Sequence, residues 1–170
     1  MSDIATGLSR ENRFAGQTTR DREGYKVAMH SLLVAALVRQ EFGRPDLVGQ
    51  ALLHDATEAY MKDIPSPLKR LIPKYKEIES VLLGTILRKF GQADDLNPVV
   101  HEADWMAYCI EREVLMPYHS TEVDTRSRRE TTLPENRAYW FGMVSTAGEV
   151  KARESYLTAV SGWNAGWLSK

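Results

Sequence analysis

The chain of 170 residues has a single cysteine, Cys109. That excludes an intrachain disulfide framework and a zinc site built from several thiolates, and it fits a reducing compartment. Also missing is any apolar run near the roughly 18–20 residues of a membrane span. The N-terminal residues lack the apolar stretch of a secretory signal. Together these absences lead to the expectation of a cytoplasmic protein without a membrane partner. There is no surplus of charge either: 22 Lys and Arg stand against 23 Asp and Glu, a net charge of −1. No global basic field therefore argues for a nucleic-acid polymer. The sequence has no internal repeat, no low-complexity tract and no convincing alternation with period two. What is present is ordinary for a globular domain, 43% apolar and 26% charged residues, enough for one core at this length. The expected fold is all-α, a single helical bundle over residues 1–170.

Taken in order, residues 1–24 are polar and read as a short helix or two and a loop. Tyr25–Phe42 reads as an amphipathic helix, with Val27, Leu33, Val34, Leu37 and Val38 inward and Gly43 and Pro45 ending it. Asp46–Met61 reads as one helix that buries Leu47, Val48, Ala51 and Leu52. Ser66 can cap a short helix with Pro67 at its first position. Lys74–Phe90 follows, with Ile78, Val81, Leu82, Ile86 and Leu87 inward and Gly91 as its stop. Pro98 opens a helix ending before Pro117, in which Trp105, Met106 and Ile110 are assigned to the core. The segment 119–134 reads as a surface loop; its Arg126, Arg128 and Arg129 leave phosphate binding open. Two closing helices, Pro134–Val144 and Gly148–Leu168, carry Tyr139, Trp140, Tyr156, Trp163 and Trp167 for packing or an oligomer interface.

The chemistry concentrates in the run from Leu52 to Lys69. His54 and Asp55 are adjacent at the end of an apolar stretch, and Glu58 lies one helical turn on. Asp63 follows, and then Ile64-Pro65-Ser66-Pro67 stops the helix. Ionisable groups this dense need water, partners or a metal. His30 upstream and Asp104 downstream each sit inside an apolar, helix-periodic segment. Two imidazoles and two carboxylates from three helices suit a first-row divalent ion. Each residue alone has a plainer reading: a helix-end polar pair for His54-Asp55, a core histidine for His30.

The order His30, His54-Asp55, Asp104 resembles that of the HD-domain metal-dependent phosphohydrolases. The run His54 to Lys69 is similar to the 5'-deoxynucleotidase signature H-D-x-x-E-x-x-x-x-D-[IL]-P-x-P-x-K, and to related small phage enzymes that include dATP triphosphohydrolases. The resemblance covers about Tyr25 to Pro117, with residues 118–170 as closing helices. It implies a compact HD-domain bundle that is a homo-oligomer and acts on deoxynucleotides. It implies His30, His54, Asp55 and Asp104 as ligands of a divalent metal, from among Mn, Co, Zn, Fe and Mg. Glu58 and Asp63 would be catalytic. Glu58 is alternatively a support for a ligating histidine, and Asp63 a sugar contact or a cap of the Pro-rich turn. Lys69 would clamp phosphate. Arg13-Phe14 stands near an Arg-Trp pair of the related enzymes, with a different spacing to His30; the alternative is a surface Arg beside a core Phe. His101 stands where the family often has Lys, and is the remaining substrate-binding candidate. The competing function is a non-catalytic regulatory module that binds metal and nucleotide.

Overall fold

The computed structural model describes residues 1–18, 24–116, 137–146 and 149–164. Its centre is a helix, α2 (Val27–Gln40), whose residues are apolar almost all round. A helix of that composition is stable only when surrounded. Val27, Ala28, Leu33, Val34, Leu37 and Val38 are fully buried. Thus α2 is the middle of the bundle, its expected inward face fully buried, with Met29, Leu32 and Ala36 partly buried and Arg39 and Gln40 exposed. Around it pack α1 (Ser2–Arg10), α3 (Val48–Leu53), α7 (Pro98–Leu115) and α9 (Glu149–Asn164). Helix α8 (Arg137–Thr146) lies on α7. Among the described residues there is no strand, only an isolated bridge between Asn12 and Lys26. The fold is all-α, one helical bundle. No described helix is long and apolar enough to cross a membrane.

Two expectations fail in ways that matter for the site. The first is the single helix over Asp46–Met61. A 3-10 turn (Pro45–Leu47) leads into α3, which stops at Leu53, and α4 (Glu58–Met61) restarts after a tight turn. Bonds from Ala56 N–H to Leu53 O (2.9 Å) and from Glu58 N–H to Asp55 O (3.0 Å) span three residues instead of four. The turn that carries His54 and Asp55 thus lies between two short helices. Tyr156 of α9 donates its hydroxyl to Leu52 O at 2.6 Å, which satisfies a carbonyl left over where α3 ends.

The second is the inward face of α6 (Pro73–Lys89). Ile86 and Leu87 are buried, but Ile78 is 50% and Val81 71% exposed. Only the C-terminal half of α6 reaches the core. The short α5 (Ser66–Lys69) precedes it, with Pro65 and not Ser66 at the N-cap position. Helix α7 is fixed at its start by Asn97, whose side chain accepts from Val99 N–H at 3.0 Å. Gln50 of α3 holds that entry loop, accepting from Asn97 N–H at 2.9 Å. Ile110 is fully buried as expected, Met106 is partly buried, and Trp105 leaves the core for a cleft. Arg126, Arg128, Arg129 and Trp167 lie outside the described residues.

Helix α1 closes on α4 through a glycine. A Cβ on Gly7 would meet Ala59 Cβ at 2.6 Å and its backbone at 2.8 Å. Gly7→Ala gains about 1 kcal/mol of helix propensity, yet forces a backbone shift of the kind that costs 1–3 kcal/mol or more. A lower melting temperature is therefore expected, by a few degrees. A thermal melt at or above wild type would show that α1 and α4 do not meet this closely.

Candidate metal centre

Four side chains from three parts of the chain converge. His30 comes from α2, His54 and Asp55 from the turn after α3, and Asp104 from α7. His30 Nε2 lies 3.2 Å from His54 Nε2 and 2.9 Å from Asp104 Oδ1. Asp55 Oδ2 is 3.2 Å from His54 Nε2 and 3.6 Å from His30 Nε2. His54 Nε2 is 3.8 Å from Asp104 Oδ1.

The ring protons decide what this cluster wants. His54 Nδ1 lies 2.8 Å from Ala51 O, which can only accept, so Nδ1 carries the proton. His30 Nδ1 lies 2.7 Å from Glu111 Oε1 and donates to that carboxylate. In the neutral imidazoles both Nε2 atoms then present lone pairs to each other. Two carboxylate oxygens join them. His30, His54 and Asp104 then bring three acceptors together with Asp55 against both imidazoles, an arrangement that positive charge, from an added proton or a cation, would satisfy. The donor set fits a divalent first-row ion, and the histidine with its backing carboxylate is the usual support for a metal-bound imidazole. The electrostatics agree. Burial and Arg13 oppose protonation of His30, but Glu111 and Asp104 outweigh them and hold the imidazole above its ordinary value. Burial likewise opposes a charge on His54, and Asp55 with Asp104 raise it well above normal. Burial would raise Asp104, yet the two imidazoles hold it well below the usual carboxylate range. Asp55 is lowered in the same way, chiefly by His54.

Glu111 is fully buried and was not anticipated. It lies seven residues after Asp104, two turns along the same face of α7, among Ala107, Ile110 and Leu115. An acid at a core position of an apolar-periodic helix was the available signal. Besides His30, Glu111 accepts from Arg13 Nε at 3.0 Å. Glu111→Gln is expected to keep the fold and to weaken metal affinity roughly 10–100-fold, the usual effect of losing such a backing group. Calorimetric metal titration of the folded variant checks this; an unchanged affinity contradicts it.

Arg13 is held in place by a strained turn. Phe14 and Ala15 have φ of 55° and 52°, the left-handed region that residues with a Cβ rarely adopt. Arg13 N–H donates to Tyr25 O at 2.8 Å, and Lys26 donates to Asn12 Oδ1 at 2.7 Å. The guanidinium reaches Asp55 Oδ2 at 3.4 Å as well as Glu111. Burial disfavours its charge, but Glu111 and Asp55 outweigh that and raise its pKa. Arg13 is thus a site residue, and Phe14 is part-exposed on the cleft wall.

The cleft measures about 700 Å³ and takes in Asp55, Asp104, Glu58, Asp63 and Lys69. Glu58 is 4% exposed, and its Oε2 has no hydrogen-bond partner among the described residues. Burial first, then Asp55 and Asp63, push its carboxyl well above the ordinary range. Burial raises Asp63 too. Lys69 bonds Glu79 at 2.8 Å and lies 3.5 Å from Glu58 Oε1. Burial lowers its pKa, but Glu79 and Glu58 more than offset this. His101 is exposed on the first turn of α7 and does not line the cleft.

No family model matches the chain. Among curated relatives, the uncharacterized protein YfdR of Escherichia coli K12 is 43% identical over 115 residues, 68% of this chain and 60% of its own. The uncharacterized protein RCAP_rcc00048 of Rhodobacter capsulatus is 35% identical over 135 residues, 73% of this chain and 66% of its own. The chain therefore spans less than two thirds of either relative, and neither name carries an activity.

Proposed function

We propose that the protein is a metal-dependent phosphohydrolase of the HD type. On this reading it removes the 5'-phosphate or 5'-triphosphate of 2'-deoxynucleotides by attack at the α-phosphorus and releases the deoxynucleoside. The observation that carries this is the convergence of His30, His54 and Asp104 beside a cleft, with Asp55 Oδ2 against both imidazoles. Its support from sequence is the family-like order of those four residues and the match from His54 to Lys69.

His30, His54, Asp55 and Asp104 would hold the ion. Bound there, a divalent metal supplies Lewis acidity and a lowered pKa for water. The remaining roles belong to the protein. Glu58, buried with an unpartnered oxygen on the same cleft, is the acid/base group that orients the attacking water and exchanges a proton with it. Arg13 brings a second positive charge to the phosphoryl oxygens and orients Asp55. Lys69, partly neutralised by Glu79, sits where further phosphates of a longer substrate extend. Asp63 is the group on the cleft wall that can return a proton to the leaving 5'-oxygen or accept from a sugar hydroxyl.

The test is a panel of dNMPs, dNTPs and ribonucleotides, each with Mn, Co, Zn and Mg, with product identification in oxygen-18 water. The expected products are the free deoxynucleoside, without label, and labelled phosphate or intact labelled triphosphate. Formation of dNMP with pyrophosphate, or of dNDP with phosphate, would overturn attack at the α-phosphorus. No turnover of any phosphoester by metal-loaded protein would favour the regulatory module instead.

A further inference from the structure

One wall of the cleft is aromatic, and nothing in the proposed chemistry uses it. Trp105, Tyr108 and Arg112 fall at i, i+3 and i+7 on α7, so they form a stripe beginning one residue beyond Asp104. All three line the cleft. Trp105 and Tyr108 are each only part-buried, and their rings lie 5.3 Å apart with an interplanar angle of 31°. Phe14, next to Arg13, brings a third ring 6.1 Å from Tyr108 at 35°. Arg112 sits 5.9 Å from the Tyr108 ring centroid, over its face. Large apolar rings turned toward a wet, charged cleft forgo the burial they would gain in the core. They do so here on two elements that also deliver Asp104 and Arg13.

We infer that Trp105 and Tyr108 form a shelf on which the nucleobase of the substrate stacks while its phosphate lies at the His30–Asp104 cluster. This rests on the phosphohydrolase reading and adds to it the part of the substrate that is recognised. The Phe14–Tyr108 spacing of 6.1 Å is less than the roughly 7 Å that a base sandwiched between two rings needs, twice a carbon–carbon contact. The base therefore lies against the shelf and is not clamped between those two rings. Stacking serves every base, because each has a π face. The shelf sets a requirement for a base more than a choice among bases. A base-free sugar phosphate is the ligand it discriminates against.

The experiment compares dAMP, dCMP and 2-deoxyribose 5-phosphate for binding to full-length Glu58→Gln protein by calorimetry. The same comparison is made with Trp105→Leu and Tyr108→Leu added singly, and with Trp105→Phe and Tyr108→Phe as ring-preserving controls. Both nucleotides are expected to bind about tenfold or more tightly than the base-free phosphate, the range for stacking on one ring. Each Leu substitution should shrink that ratio toward one, and each Phe substitution should restore most of it. Equal binding of nucleotide and sugar phosphate overturns the shelf, as does a ratio that survives both Leu variants. A Leu variant that fails to fold is replaced by Ser at the same position, read in the same way. Wild-type phosphate release from the substrate panel tests the hydrolase reading separately. Hydrolysis with equal binding of the two ligand classes leaves the enzyme standing and the shelf refuted.

Discussion

Turnover is expected to vanish in His54→Ala and Asp104→Ala, together with the stabilisation that metal gives the wild-type fold. Each substitution removes one member of the His30, His54 and Asp104 group. His54 Nε2 is oriented by the Nδ1 bond to Ala51 O. An ion that binds only the folded state stabilises it by about 2.7 kcal/mol at a hundredfold excess over Kd. For a domain of this size that raises the melting temperature by roughly 5–10 °C. Addition of Mn or Co should therefore shift the wild-type melt upward and leave both variants where they were. The apo variants need not be less stable than apo wild type, since each loses an acceptor from a crowded, uncompensated cluster. Activity within tenfold of wild type in a folded His54→Ala protein would mean that the chemistry lies elsewhere.

The second large effect is at Glu58. Glu58→Gln should keep the metal-dependent shift in melting temperature and lose kcat by two to four orders of magnitude, the range for a general acid or base. Glutamine preserves the volume of a side chain that is 4% exposed, and Lys69 keeps Glu79 as a partner. A structural role would move stability without so large a fall in kcat. A kcat within a few-fold of wild type would make Glu58 a support for the site, and some other group would have to take the proton.

The sequence carried the bundle class because its helices are long and periodic and their stops are strong: Gly43, Gly91 and the Pro65–Pro67 pair. Along α2 the apolar face it pointed to, Val27, Leu33, Val34, Leu37 and Val38, is buried, while packing also buries Ala28 and Ala35 beyond it. The break after Leu53 was not legible, because the residues of the turn, His54 to Thr57, are no obstacle to a helix. Convergence in space decides that break, and propensity does not. The cluster of His30, His54, Asp55 and Asp104 was legible as a set of costly residues in apolar segments. Glu111 gives the same signal, but it stands in no family motif, so residue order does not single it out. Trp105 went to the core by composition. An aromatic residue on a helix face reads alike whether that face meets a neighbour or a cleft. His101 follows from position in a motif, and it is exposed on the first turn of α7, outside the cleft lining.

The central claim is that the four side chains hold a divalent ion. X-ray absorption at the metal edge of Mn- or Co-loaded wild-type and folded His54→Ala protein tests it most directly. The account predicts a bound ion with imidazole nitrogen and carboxylate oxygen in its first shell, two imidazoles in the wild type, and loss of the ion or of imidazole ligation in the variant. A wild-type spectrum with oxygen ligands alone, or an identical spectrum and occupancy in His54→Ala, would contradict it.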